Sequence, residues 1–309
     1  MTAGWAACKR LAGVARWPGI MSRLQEGLPL GGVDAALRVS LSFFCPGRII
    51  AVGAELKGRL CCLAGADALI SEPFGDLREA ENYRRYRRRL DELVDQLGAD
   101  GAVVAHDMHP AYLSTELARS VGLELIGVQH HHAHAASCLA EAGLTGPALA
   151  IVCDGTGYGL DGASWGGEVL LCDGSRFERL AHLRYCRLPG ADAAAVDTWR
   201  PAVSLLRDAF GPDWLALGLP LADQVERRRL QLAERMLQQD VNCPRSSSLG
   251  RLFDAVAALC GLPAVISFEG QAAMALEYAA DADETEAYPM PLLDGQPAVA
   301  DWEPLIRAV

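Results

Sequence analysis

Residues 147–172 read PALAIVCDGTGYGLDGASWGGEVLLC. An apolar run at 147–153 bounded by turn residues has the length of a buried strand, the glycine-dense DGTGYGLDG at 154–162 makes a turn, and ASWGGEVLLC supplies another strand. Asp154 stands at the end of that buried run, where a carboxylate is costly unless paired or coordinating. Gly155, Gly157, Gly159 and Gly162 leave backbone N–H groups open to close approach by an anion such as phosphate. A glycine-rich hairpin with no ligand explains the same residues.

Upstream, GAVVAH at 101–106 reads as a strand, STELARSVG as a helix and LELIGVQ at 123–129 as a strand leading into a further helix. This β-α-β-α order implies a parallel portion of sheet, and the strand-turn-strand at 147–172 restarts the architecture. The fold class is therefore α/β, with a first lobe over 48–146 and a second over 147–280. Residues 1–47 form an N-terminal arm with little pattern, RIIAVGAELKGRLCCLAG reads as a hairpin, and 281–309 is an acidic, proline-containing tail or truncated remainder.

The 309 residues are enough for roughly two domains of about 150 residues each. A hydrophobic share of 51% against 22% charged places the chain among globular proteins. A net charge of −11 argues against a surface built to hold nucleic acid, which needs a concentrated positive field. Ten scattered cysteines with no CxxC read as reduced, mostly buried thiols of a cytoplasmic protein. No stretch is apolar for the about 20 residues of a membrane span, and no signal peptide is evident.

The amphipathic helix expected at 77–97 carries five arginines between Arg84 and Arg89. They could grip an acidic partner, although such runs are more often solvated faces. Four of the seven histidines, His130, His131, His132 and His134, fall within five positions of VQHHHAHAASCLAE at 128–141. On a helix starting at His130, the i and i+4 rings of His130 and His134 share one side and can hold a metal ion, while His131 and His132 point elsewhere. A polar helix start without metal is the competing explanation. Asp154 is the best source of a third ligand. Cys138, four residues beyond His134, reads as core rather than nucleophile.

Two further groups complete the candidates. In GRLFDAVAALCGL, Asp254 stands one turn into a helix behind the serine-rich loop SSSLG, suited to a nucleotide's ribose or phosphate or equally to balancing the helix dipole. His106, Asp107 and His109 stand at a strand's C-terminal end, the edge at which open α/β sheets bind ligands, where helix capping is the plainer alternative.

Taken in order, VQHHHAHAASCLAE, DGTGYGLDGASWGGE, LPGADAAAVDTWR, GRLFDAVAAL and SFEGQAAMALE closely resemble the C-terminal domain of HypF-type carbamoyltransferases, which mature nickel-iron hydrogenases, over about 48–280. The resemblance implies an actin-like (ASKHA) two-lobed fold with mixed sheets flanked by helices, related to the tRNA threonylcarbamoyltransferases. It implies transfer of a carbamoyl group from carbamoyl-adenylate, derived from carbamoyl phosphate and ATP, to the C-terminal cysteine of the partner HypE, for later dehydration to a cyanide ligand. His130, His134 and Asp154 match the family's divalent-metal ligands, Gly155, Gly157 and Gly159 its phosphate loop, and Gly250 and Asp254 its nucleotide contacts. His131 and His132 are candidates for proton transfer.

The family's upstream domains have no counterpart here, and neither an SGGV-type loop nor a DGG-type segment, which supplies a further metal ligand, follows Tyr278. The second lobe is accordingly expected to be incomplete. Ala191 and Thr198 stand where the family usually has glycine and proline. Two other functions compete: a catalytically silent module that docks a partner through the Arg84–Arg89 helix, and carbamoyl or threonylcarbamoyl transfer to a small molecule or tRNA.

Overall fold

The computed structural model describes residues 37–98, 102–281 and 283–309. They divide into two compact units, one running up to Ala150 and including Leu170–Glu178, the other comprising Ile151–Val169 and Arg179–Val309. The α/β class with mixed sheets flanked by helices is what the structure has.

In the first unit β1 (Leu37–Ala51) and β2 (Cys61–Ile70) form the expected antiparallel hairpin, and β3 (Ala102–Asp107) and β4 (Glu124–Val128) add in parallel, giving the order β2-β1-β3-β4. Part of the presumed arm is thus strand: β1 begins at Leu37, and residues 1–36 lie outside the described residues. Its first half alternates half-buried and exposed residues with Ser and Arg among them, a weaker apolar signal than the RIIA that closes it.

Helix α1 (Ala80–Leu97) buries Tyr86, Leu90, Leu93 and Leu97, the stripe of a 3.6-residue period, against Ile50, Val52 and Val104 of the sheet. It stops where Gly98 takes φ 71°, a left-handed value that side chains resist. Of its arginines, Arg84 pairs with Glu81 at 3.3 Å and Arg89 with Glu92 at 2.8 Å on the same helix. α2 (Leu113–Ser120) follows β3, and α3 (His130–Glu141) follows β4.

The second unit holds a seven-stranded sheet. Its path is β10-β11-β7-β6-β9-β8 with β5 beside β6, where β5 is Ala148–Tyr158, β6 Ser164–Cys172, β7 Phe177–Leu183, β8 Cys186–Arg187, β9 Arg245–Ser246, β10 Leu292–Leu293 and β11 Ala298–Ala300. The helices are α4 (Trp199–Phe210), α5 (Leu221–Gln224), α6 (Arg227–Gln239), α7 (Leu249–Leu259), α8 (Gln271–Ala279) and α9 (Glu303–Ala308). α5 and α6 are parted at Val225 and Glu226, both with extended ψ values.

The stretch from 281 is no loose tail at its end. β11 joins β7 in parallel, and the Trp302 indole, 1% exposed, sits in the main core and donates its N–H to the Arg184 carbonyl at 2.7 Å. Burying one tryptophan is worth roughly 4–6 kcal/mol of gross transfer free energy. No described helix is long and apolar enough to cross a membrane. The nine described cysteines are free thiols, and six are buried. Burial pushes Cys61 up to about 11 and Cys62 and Cys186 up to about 12, so these remain neutral thiols.

Candidate functional site

In the first unit, parallel β3 and β4 deliver their C-terminal ends side by side, with Asp107 opposite Val128. Gln129 then caps α3, its side-chain oxygen accepting the His132 backbone N–H at 2.9 Å. That cap starts the helix at His130, so His130 and His134 lie one turn apart. Their Nε2 atoms are 3.2 Å apart and the ring centroids 4.9 Å.

The other nitrogen of His130 is engaged: Nδ1 lies 2.6 Å from Oδ2 of the buried Asp107, whose Oδ1 accepts the His109 N–H at 2.8 Å. With the Nδ1 proton donated to a carboxylate, Nε2 is left as a lone-pair donor, the tautomer that metal-binding histidines use. For two imidazoles bound at the usual 2.0–2.1 Å, an N···N separation of about 3.2 Å corresponds to an angle close to tetrahedral. The donor pair therefore fits a divalent ion.

His131 and His132 face the interior. Both are buried, His131 Nδ1 receiving the Gln129 amide at 3.1 Å and His132 Nε2 lying 2.7 Å from the Asp173 carbonyl. His106 Nδ1 lies 2.6 Å from the Asp107 carbonyl, and the His109 ring stacks on Tyr112 at 4.0 Å. Cys138, expected in the core, is exposed. It stands one turn beyond His134 and so continues the open stripe of α3 rather than its alanine face. The role of Asp107 had only a faint signal, an acid at a strand end, and that of Gln129 had none beyond its place before the histidines.

In the second unit the glycines of DGTGYG lie largely on a strand rather than in a loop, since β5 runs to Tyr158. Gly155 has open space where a side chain would stand, whereas a Cβ on the buried Gly159 would meet the Trp165 indole nitrogen at 2.2 Å. Gly157 is buried. The Asp154 carboxylate accepts the Gly155 N–H at 2.7 Å. Ser248, the N-cap of α7, accepts the Arg251 N–H at 3.0 Å and donates to the Gly155 carbonyl at 2.7 Å. Gly250 permits this contact, a Cβ there falling 3.0 Å from the Gly155 Cα.

Asp254, one turn into α7, is 3% exposed and 2.7 Å from the Arg251 guanidinium. Burial raises its carboxyl to about 6 against the opposing pull of Arg251. Beside these expected residues lies a group that the sequence reading missed. Glu168, Arg179 and Ser247 form a buried polar knot in which Glu168 takes the Arg179 guanidinium at 2.6 Å. Its only signal was a Glu closing the WGGE run.

Residues 45–141 match a family described as the HypF Kae1-like domain, and residues 150–309 one described as carbamoyltransferase, Kae1-like domain, second subdomain. Carbamoyltransferase HypF2 of Cupriavidus necator is 41% identical over 238 residues, covering 74% of this chain and 28% of that protein. Carbamoyltransferase HypF of Rhizobium leguminosarum bv. viciae is 37% identical over 84% of this chain and 33% of its own length. A crystal structure of full-length HypF in the phosphate- and nucleotide-bound form has a TM-score of 0.79 at 39% identity, over 87% of this chain and 35% of that one. The chain thus spans about a third of the length of these relatives. Two consecutive subdomain matches and concordant sequence and structural likeness establish that the chain belongs to the HypF carbamoyltransferase family, in the region of its Kae1-like domain.

Proposed function

We propose that the chain transfers a carbamoyl group from carbamoyl-adenylate to the C-terminal cysteine of a HypE-type maturation partner, in support of cyanide-ligand synthesis for a nickel-iron centre. The observation that carries this reading is the convergence of His130 and His134 with Asp107 setting the His130 tautomer. His130 and His134 would hold a divalent metal with Asp154 as third ligand. When bound, the metal supplies Lewis-acid stabilisation of phosphate charge.

The chain's own residues have separate parts. Asp107 keeps His130 oriented with Nε2 deprotonated. Gly155, with open space beside its Cα, lets a phosphate approach the backbone, and Gly157 and Gly159 complete the strand and turn around it. The N-terminal end of α7, reached through Gly250, favours the anion by its dipole. Asp254 would serve as the ribose partner. The nucleophile is the partner's thiolate: its sulfur bonds to the carbamoyl carbon, the carbon–oxygen bond to the phosphate breaks, and AMP leaves with the electron pair. His131 and His132 support the helix that carries the ligands.

The test is incubation of the purified chain with carbamoyl-adenylate and HypE, followed by intact mass. One carbamoyl adduct on the terminal cysteine is expected, lost in His134→Ala. A folded chain that binds metal and AMP yet leaves HypE unmodified would defeat the reading, and one that binds neither would favour the silent docking module.

A further inference from the structure

The Glu168 side chain is wholly buried, and each of its oxygens is partnered. Oε1 accepts the Ser247 hydroxyl at 2.5 Å and the Gly166 N–H at 3.1 Å, while Oε2 accepts Arg179 Nε at 2.6 Å. Arg179 is held in turn: it donates to the Tyr185 hydroxyl at 2.8 Å and to the Ser247 oxygen at 3.3 Å, and its guanidinium carbon lies 3.7 Å from the centre of the Trp165 ring. A buried ion pair of this kind seldom adds net stability over apolar residues of the same volume, because desolvating both charges offsets their attraction. What it does supply is a fixed direction, and that direction is the Ser247 hydroxyl.

Ser247 is the middle of three buried serines that end in the α7 cap. Its N–H donates to the Ser164 carbonyl at 2.9 Å, and the next residue, Ser248, both caps α7 and holds the Gly155 carbonyl. Close packing makes this register exacting. A Cβ at Gly166 would stand 2.5 Å from the Asp154 carbonyl oxygen and 2.9 Å from the Ser248 Cα, so the serine segment, β5 and β6 touch through backbone. Any slip of Ser247 therefore moves the cap, Gly155 and the start of α7 together.

We infer that Glu168 is a positioning residue: with Arg179 it clamps Ser247, and through Ser248 it sets the Gly155 backbone and the α7 N-terminus that receive the nucleotide phosphate. The phosphate part rests on the proposed function; the clamp itself does not. Ser247→Ala is the decisive variant, since it removes one hydroxyl and leaves the ion pair whole, and Glu168→Gln is its companion.

Amide hydrogen exchange over 245–251 and 154–156 should quicken about tenfold in Ser247→Ala, with AMP affinity by calorimetry falling about tenfold, as expected for one hydrogen bond to a charged group. Ser247→Thr, which keeps the hydroxyl, should restore both. Adding Glu168→Gln to Ser247→Ala should cost little further affinity, because the two act through one link. Unchanged exchange in Ser247→Ala overturns the clamp even if Glu168→Gln fails to fold. Faster exchange in Ser247→Ala with restoration by threonine supports the clamp, and AMP that fails to bind the parent chain then refutes only the phosphate reading.

Discussion

The two units build their candidate sites from different material. At the head of α3 the working atoms are imidazole nitrogens, placed by helix periodicity and aimed by two polar neighbours, Asp107 and Gln129. At the β5–β6–α7 junction they are backbone groups, placed by glycines whose missing side chains let three segments touch. A side-chain site of the first kind should tolerate small changes of packing and fail when one donor is lost or mis-protonated. A backbone site of the second kind should fail through shape.

The largest effect should come from breaking the donor pair. His134→Ala removes a ring that is exposed and 3.2 Å from its partner nitrogen, so the fold should persist while Zn2+ binding, followed by competition with a chromophoric chelator, is lost. Asp107→Asn tests the tautomer without removing a ligand. An amide N–H pointed at His130 Nδ1 makes that nitrogen an acceptor and shifts the ring proton to Nε2. Zn2+ affinity should fall about 10–100-fold, the usual cost of a lost second-sphere carboxylate. Unaltered affinity in Asp107→Asn would mean that Asp107 does not set the His130 tautomer.

The contrast sharpens in two glycine variants. Gly166→Ala forces a methyl against the Asp154 carbonyl at 2.5 Å, with backbone on both sides and nothing free to swing away. A loss of about 1–3 kcal/mol in denaturant unfolding is expected. Gly155→Ala meets nothing within 4 Å, so stability should be nearly unchanged while AMP affinity drops. If both lose stability alike, the open space at Gly155 is not a ligand's space.

These differences also explain what was legible beforehand. The i and i+4 histidines, the α1 stripe and the parallel β3–β4 pair follow from period alone, and the structure has all three. Register and burial are products of distant contacts. Thus β1 reaches back to Leu37 because β2 offers it partners as far as Ile70, and Trp302 is core because β11 docks on β7. Cys138 went astray because an alanine-rich helix does not reveal which of its faces is open. Glu168 carried little signal for a similar reason: its knot closes through Ser247, far away in sequence.

Asp254 yields the effect that depends on pH. Its folded value of about 6 lies above the ordinary 3.8, so the folded state holds the proton more tightly than the unfolded chain. That contribution is fully present below about pH 4 and is lost as pH rises through 6. Two pH units correspond to at most about 3 kcal/mol, and the pull of Arg251 is already part of that shift, so Asp254→Asn should gain stability relative to the parent between pH 4 and pH 7.5. Thermal melts of both proteins across pH 4–8 measure it. A constant difference would show that Asp254 titrates alike in the folded and unfolded chains; a difference that grows with pH leaves it partly protonated near pH 6, where AMP affinity should begin to depend on pH as well.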